Sequence, residues 1–452
     1  MSVTPARSVA FEVVRRTFES GAYADRALPA AAARAGLDRR DRAQAQRLAY
    51  GAIQRRGTSD AFIERLSGRP PSTLDAPIAG ALRLGLYELL FADATPDHAA
   101  VDQAVELAKR AGAARGGGLV NAVLRRAGRE RGELLASLDD STPAGAAVAH
   151  SVPSWLAEMW WRELGPVGAR SLMRAVNEPA EHAFRVNALR EHADAIAARL
   201  IDLEAVRRPA APPPLAPEGA LVVEGALPDE VLAALDDGDL VAQARSSQAV
   251  IEILGPQPGE RVLDLCAGPG IKTTAIAALV GGAGRVVAVE LDAGRASQMR
   301  ALCERLGAAN VEVIEGDAAE ADAGEGYDRV LVDPPCSDLG TLAARPDARW
   351  RKSHDAVERL AAMAGPILAA GERALRPGGT LAYSTCTISR AENEAAVTAA
   401  LAASTQLRAD DLGAEFTGLA SAADSRFLQT RPDRDRTSGF FIGRLRRAEG
   451  DG

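Results

Sequence analysis

An all-α N-terminal region followed by an α/β domain with a largely parallel sheet is the fold class that the sequence predicts. Three observations predict it. Apolar residues in the first 140 or so positions recur at helical spacing, and short β-rich runs alternate with helical patterns from about position 245 onward. A chain of 452 residues is also too long to fold around one hydrophobic core.

In the helical region, Val9, Val13, Val14 and Phe18 fall near one helical face, as do Ala45, Leu48, Ala49, Ala52 and Ile53. Further amphipathic stretches at 78–91, 99–111 and 118–126 are separated by Pro or Gly. Boundaries are expected at 1–142 for this domain, 143–240 for a mixed α/β connector, and 241–452 for the α/β domain. The connector holds a helix around Trp155, Trp160 and Trp161, the segment AFRVNAL, and PAAPPPLAP, which reads as a solvated spacer. In the third region RVLDL, RVVAV, VEVI, DRVLV and TLAYS are the parallel strands, and GFFIGRL at 439–445 is an antiparallel edge addition.

Composition excludes several classes. Hydrophobic content of 47% with 25% charged residues is that of an ordinary globular chain. No run of about 18 apolar residues and no secretory leader is readable, so a cytoplasmic protein without a membrane partner is expected. The four cysteines, at 266, 303, 336 and 386, have no CxxC spacing and the five histidines are scattered, so neither a metal site nor a disulfide framework is expected. Net charge is −8, yet residues 1–150 carry 21 Lys and Arg against 17 Asp and Glu, leaving 32 against 44 for the rest. That balance neither supports nor excludes a nucleic-acid partner.

RVLDLCAGPGIKTT places Cys266, Ala267, Gly268, Pro269, Gly270, Ile271 and Lys272 between the first strand and a helix, where backbone can approach a ligand and helix amides are unpaired. The turn lacks both GxGxxG and the P-loop pattern. Glu290, closing the second strand, suits a carboxylate on two ribose hydroxyls, and Asp317, after the third, sits where a base edge would lie; Asp292 competes with Glu290 for the ribose. Together they point to a nucleoside-bearing cofactor.

The fourth strand ends in LVDPPCSDLGT, bringing Asp333 and Cys336 to the ligand-binding edge of the sheet, and the fifth ends in YSTCTISRAENE, bringing Cys386 there. Cys303, on a helix, reads as a small buried hydrophobe, and Cys266 belongs to the cofactor turn. Two thiols at adjacent strand ends read as chemistry instead.

DLCAGPGIKTT, AVELD, EGDA, DPPCS and STC, in this order, resemble the RNA 5-methylcytosine methyltransferases. HAAVDQAVELAK and GLVNAVLRR resemble the antitermination-factor NusB-like domain that members acting on small-subunit ribosomal RNA carry. The resemblance spans essentially the whole chain. It implies a Rossmann-like domain with a seven-stranded, mostly parallel sheet whose last strand is antiparallel. S-adenosylmethionine is then the cofactor, held by residues 266–272, Glu290, Asp317 and Asp333. Small-subunit (16S) rRNA or its precursor is the partner, Cys386 the nucleophile, and a monomer the expected state. Departures from the family pattern fall at Gly268 (usually Ala), Ile271 (usually Gly), DPPC (usually DAPC), Ala244 (usually Asp) and Ser438 (usually Asp).

The implied chemistry is attack of the Cys386 thiolate on carbon 6 of cytosine, methylation of carbon 5, and release assisted by Cys336. Lys272 is a candidate to favour the thiolate, and Asp333, if protonated, to meet charge at the ring nitrogen. The RPDARWRKS segment around Trp350 reads as an RNA-stacking loop or, equally, a surface loop. Other readings are a transfer-RNA or 23S rRNA methyltransferase and a non-catalytic ribosome-assembly factor; a DNA enzyme fits less well because its nucleophile lies on the fourth strand.

Overall fold

The structure is a computed structural model describing residues 3–92 and 96–449. Its contacts divide the chain into two compact units, Met1–Glu178 with Leu342–Lys352, and Pro179–Thr341 with Ser353–Gly452. No described helix is long and apolar enough to cross a membrane.

Among the described residues the first unit contains helices and no strand. Its main helices are Pro5–Glu19, Ala24–Arg34, Arg39–Gln54, Arg56–Ser67, Ala76–Leu90, Asp97–Arg110 and Gly117–Arg129, continued by Pro143–Ala149 and Ser154–Ala175. Local signals set several ends: Pro5 starts the first, Asp38 caps the third by accepting from Asp41 N at 2.7 Å, and left-handed Gly68 stops the fourth. Val9, Val13, Leu48, Ile53, Leu82, Leu86 and Leu124 fill the core, each such side chain contributing roughly 1.5–3 kcal/mol on burial. Arg7 Nη2 and Glu88 Oε2 form a buried ion pair there at 2.6 Å.

The segment 342–352 belongs to this unit, and the reading of RPDARWRKS as an exposed RNA-stacking loop is corrected. Arg349 is fully buried, donating to Asn177 Oδ1 at 2.8 Å and to the carbonyls of Ser151, Val176 and Leu342. Burial, then the charge of Arg55, push its guanidinium down to about 9. Trp350 Nε1 donates to the Ile53 carbonyl at 2.8 Å, and its ring packs on the helical core beneath the Arg56 guanidinium. These side chains anchor the segment.

The second unit opens with a small antiparallel sheet. His182–Val186 is flanked by Ala220–Val223 and Leu240–Ala242, with Val206–Arg207 outermost. It has its own core around Phe184, Leu200, Leu221 and Val223.

The large sheet comprises β1 (Arg261–Leu265), β2 (Arg285–Glu290), β3 (Val311–Glu315), β4 (Tyr327–Val332), β5 (Leu375–Thr385), β6 (Leu407–Ala409), β7 (Leu428–Gln429) and β8 (Phe441–Arg447). The order is β6-β8-β5-β4-β1-β2-β3, with β7 added against β8. β1 to β5 pair in parallel, and β8 runs antiparallel to β5. The expected seven strands and antiparallel last strand are present, and the two-residue β7 makes an eighth. Period-two alternation fills both faces: Val262, Val286, Ala288 and Leu331 point one way, and Leu263, Val287, Val330 and Leu381 the other. Helices cover both faces, so polar chemistry is left to the strand ends.

Candidate active site

At the C-terminal end of β1 the chain turns through Cys266 (φ +64°) and Gly270 (φ +98°) into the helix Ile271–Val280. A Cβ at Gly270 would come 2.7 Å from Met299 Cγ, so both space and backbone conformation demand glycine there. Glu290 ends β2 and is 2% exposed. Its Oε2 accepts from Gly268 N at 3.0 Å, and its Oε1 from Asp292 N at 2.8 Å and Arg295 Nη2 at 2.8 Å. Glu290 therefore ties the turn after β1 to the turn after β2. Asp292, its competitor in the sequence, caps the helix Ala293–Leu306 by accepting from Arg295 N. Asp317 is exposed beyond β3, accepting from Ala319 N at 2.9 Å.

One buried acid beside the turn escaped sequence reading. Asp264, on β1, accepts from Thr273 Oγ1 at 2.7 Å on one oxygen, while its Oδ1 has no hydrogen-bond partner among the described residues. Burial pushes this carboxyl up to about 7, with Asp333 and Glu290 adding and the Thr273 bond opposing. An alternating apolar strand gives no sign of which inward acid lies under a ligand. The Cys266 thiol is pushed up to about 12, by burial and then by Asp333, Asp264, Glu290 and Asp317, which makes it a poor nucleophile.

The thiols of Cys336 and Cys386 lie 3.3 Å apart, brought together by parallel pairing of β4 with β5. Beneath them Ser337 Oγ meets Thr387 Oγ1 at 2.7 Å. Buried Glu392 accepts from Ser337 N at 2.7 Å and Ser337 Oγ at 2.5 Å. Asn393 continues the brace, receiving Thr385 Oγ1 and donating to the Thr387 carbonyl. Glu392 and Asn393 were visible only as part of YSTCTISRAENE. Asp338, not singled out from sequence either, accepts from Cys386 Sγ at 3.0 Å. The Cys386 thiol is held well above its ordinary value by its hydrogen bond with Cys336, by desolvation, and by the charges of Cys336, Asp338 and Asp333. Ligand atoms of Cys336, Asp338 and Cys386 all lie within 4.8 Å of one another, a spacing that a metal ion also accepts.

Lys272 joins the two ends of the site. From the turn it donates to Asp333 Oδ2 at 2.5 Å, while Ser384 Oγ donates to Asp333 Oδ1 at 3.0 Å. Both Asp333 oxygens are taken up by these contacts, and Lys272 brings ammonium donors to the same place. Burial works to lower Lys272, but Asp333, Cys386 and Asp264 outweigh it and hold the ammonium above its ordinary value.

Two family descriptions match the chain: 16S rRNA methyltransferase RsmB/F over residues 251–446, and the NusB family over 4–129. Across 98% of the chain it is 33% identical to a protein of Synechocystis described as a probable ribosomal RNA small subunit methyltransferase B, covering 99% of that protein. The ribosomal RNA small subunit methyltransferase B of Sodalis glossinidius is 32% identical, with 97% of each chain covered. The chain belongs to the RsmB/F methyltransferase family. Its fold is shared with the crystal structure of PH0851, with a TM-score of 0.80 over 98% of this chain and 99% of that one at 24% identity.

Within this RsmB/F methyltransferase the unusual positions acquire physical reasons or consequences. A Cβ at Gly268 would fall 2.2 Å from Glu290 Oε2, so glycine is what lets the carboxylate reach the turn in this conformation. Ala244 is the N-cap of the helix Arg245–Leu254 and offers no side-chain acceptor. Thr437 Oγ1 partly substitutes, receiving Ser246 N at 3.4 Å. Ser438 gives its carbonyl to Thr430 Oγ1 at 2.8 Å. Nothing in the structure explains Ile271.

Proposed function

We propose that this RsmB/F methyltransferase uses S-adenosylmethionine to methylate carbon 5 of a cytosine in small-subunit rRNA through a covalent bond to Cys386. The observation that carries the reading is the pair of sulfurs 3.3 Å apart at the ends of β4 and β5. One thiol can attack while the other manages the proton that must leave.

The residues of the turn fit the cofactor. Gly268 and Gly270 let the turn pass against Glu290 and Met299, where a Cβ would clash, Glu290 and Asp317 offer acceptors for hydroxyls and a base edge, and beside them the buried Asp264 carboxyl keeps one oxygen without a hydrogen-bond partner among the described residues. When bound, S-adenosylmethionine supplies a methyl group from a sulfonium.

Cys386 bonds to carbon 6 of the ring, which makes carbon 5 nucleophilic. Charge pushed toward the ring nitrogen is met by the Lys272–Asp333 pair, whose ammonium carries the donor. After methylation Cys336, acting as thiolate, takes the carbon 5 proton, the C–H pair becomes the carbon 5–carbon 6 double bond, the bond to Cys386 breaks with its pair going to sulfur, and Cys336 gives the proton up to solvent. Glu392, through Ser337 and Thr387, fixes the two thiol-bearing loops side by side. The helical domain, matched to NusB, is the proposed RNA-recognition element.

Mapping 5-methylcytosine in ribosomal RNA from cells with and without the protein tests this reading. Loss of one or a few sites in 16S rRNA is expected. Loss confined to 23S or transfer RNA would move the substrate, and an unchanged map would leave an assembly factor as the better account.

A further inference from the structure

We propose that Asp338 is a third reacting group of the site, the base that takes the proton from Cys386 as the nucleophile forms. The inference rests on the covalent reading above and names a residue that reading does not use.

The geometry is asymmetric. Asp338 Oδ1 lies 3.0 Å from Cys386 Sγ and 4.0 Å from Cys336 Sγ, so the carboxylate sits closer to the attacking thiol than to its neighbour. The loop is built to hold it there. Asp338 has φ +60°, a left-handed conformation uncommon outside glycine. Its carbonyl accepts from Thr341 N at 3.0 Å and Thr341 Oγ1 at 2.9 Å. Gly340 N donates to the carbonyl of Cys386 itself at 3.0 Å, and Gly439 N donates to Gly340 O at 2.8 Å. A Cβ at Gly340 would lie 1.9 Å from that Gly439 segment. The loop carrying the acceptor is therefore clamped to the residue carrying the donor.

Elementary electrostatics explains why a base is needed. Cys386 faces Cys336, Asp333 and Asp338 as actual or latent negative charges, with Lys272 as the positive one. The resting sulfur thus stays protonated, which protects it until substrate arrives. As the sulfur–carbon 6 bond forms, the S–H proton passes to Asp338 Oδ1, the S–H electron pair becomes the sulfur lone pair that makes the new bond, and the ring π pair moves toward the nitrogen faced by Lys272. When the bond later breaks, Asp338 returns the proton to sulfur, so the cycle closes without an added acid.

Asp338→Asn tests this, because Asn also tolerates the left-handed turn, and Asp338→Gly keeps the turn without any side chain. Two readouts on the full chain are required. In the Cys336→Ala background, covalent adduct formation with 16S rRNA from cells lacking the protein should slow about 100-fold or more in both variants. Iodoacetamide labelling of Cys386, followed by peptide mass spectrometry across a pH series, should move to lower pH in both, since removing a carboxylate favours the thiolate. A carboxylate that acted only through its charge would, on removal, move the profile but speed adduct formation, so slowing together with the shift marks a proton acceptor. Adduct formation at the parent rate, or an unmoved profile, overturns the proposal while leaving covalent catalysis intact. Absence of any adduct in Cys336→Ala itself overturns the covalent reading and this proposal with it.

Discussion

Lys272 Nζ sits 2.5 Å from Asp333 Oδ2, linking the turn after β1 to the loop that carries Cys336. The pair is mostly buried, so each partner leaves a costly uncompensated charge if the other is removed. Lys272→Met is expected to abolish methylation and to destabilise the domain. Because the folded ammonium is held above its ordinary 10.5, its contribution to stability is present throughout the neutral range and is lost only as pH rises through the folded value. Urea unfolding at pH 7 and above pH 11 should show the gap between variant and parent narrowing at the alkaline end; a constant gap would contradict the pairing.

Asp264 predicts a loss of the same sign in a lower pH window. Its folded value of about 7 against an ordinary 3.8 means that between those limits the native chain keeps a proton that the unfolded chain has released. Stability from this site therefore falls as pH rises from about 4 to 7 and is flat above. Asp264→Asn, which cannot ionise, should gain on the parent as pH rises through that window in urea titrations. A pH-independent difference would show that the acid is not buried as described.

Glu290→Gln should weaken S-adenosylmethionine binding by about 1.5–3 kcal/mol, roughly ten- to hundredfold, by removing charge from hydrogen bonds that the cofactor strengthens. Calorimetry on the folded variant checks this. Affinity equal to the parent would place the ribose elsewhere.

Ala244→Asp should stabilise the protein by about 1 kcal/mol, since it supplies an N-cap acceptor where Ser246 N now has only a 3.4 Å contact. The urea midpoint should rise with the slope unchanged. A lower midpoint would mean that the Thr437 substitute already satisfies the helix end.

The strands, the turn after β1 and the placing of both thiols were legible because each is a local pattern: alternation, small residues at a strand-to-helix turn, and cysteine just past a strand. Asp338 and Glu392 were not. Their importance depends on where a loop carries them, and neither a left-handed Asp two residues after Cys336 nor a Glu six residues after Cys386 announces which thiol or hydroxyl it will meet. Arg349 and Trp350 misled for a related reason. An Arg- and Trp-rich loop has the same composition whether it lies in solvent or inserts among helices, and only the carbonyls of Ser151, Val176 and Ile53 around it decide.

The most direct test of the two-thiol account is a denaturing gel of the protein incubated with 16S rRNA and S-adenosylmethionine. Cys336→Ala should accumulate as a covalent protein–RNA band, because attack and methylation proceed while removal of the carbon 5 proton is impaired. Cys386→Ala should give none, and adding Cys386→Ala to Cys336→Ala should erase the band. A band from Cys386→Ala with none from Cys336→Ala would contradict the account and make the β4 thiol the nucleophile.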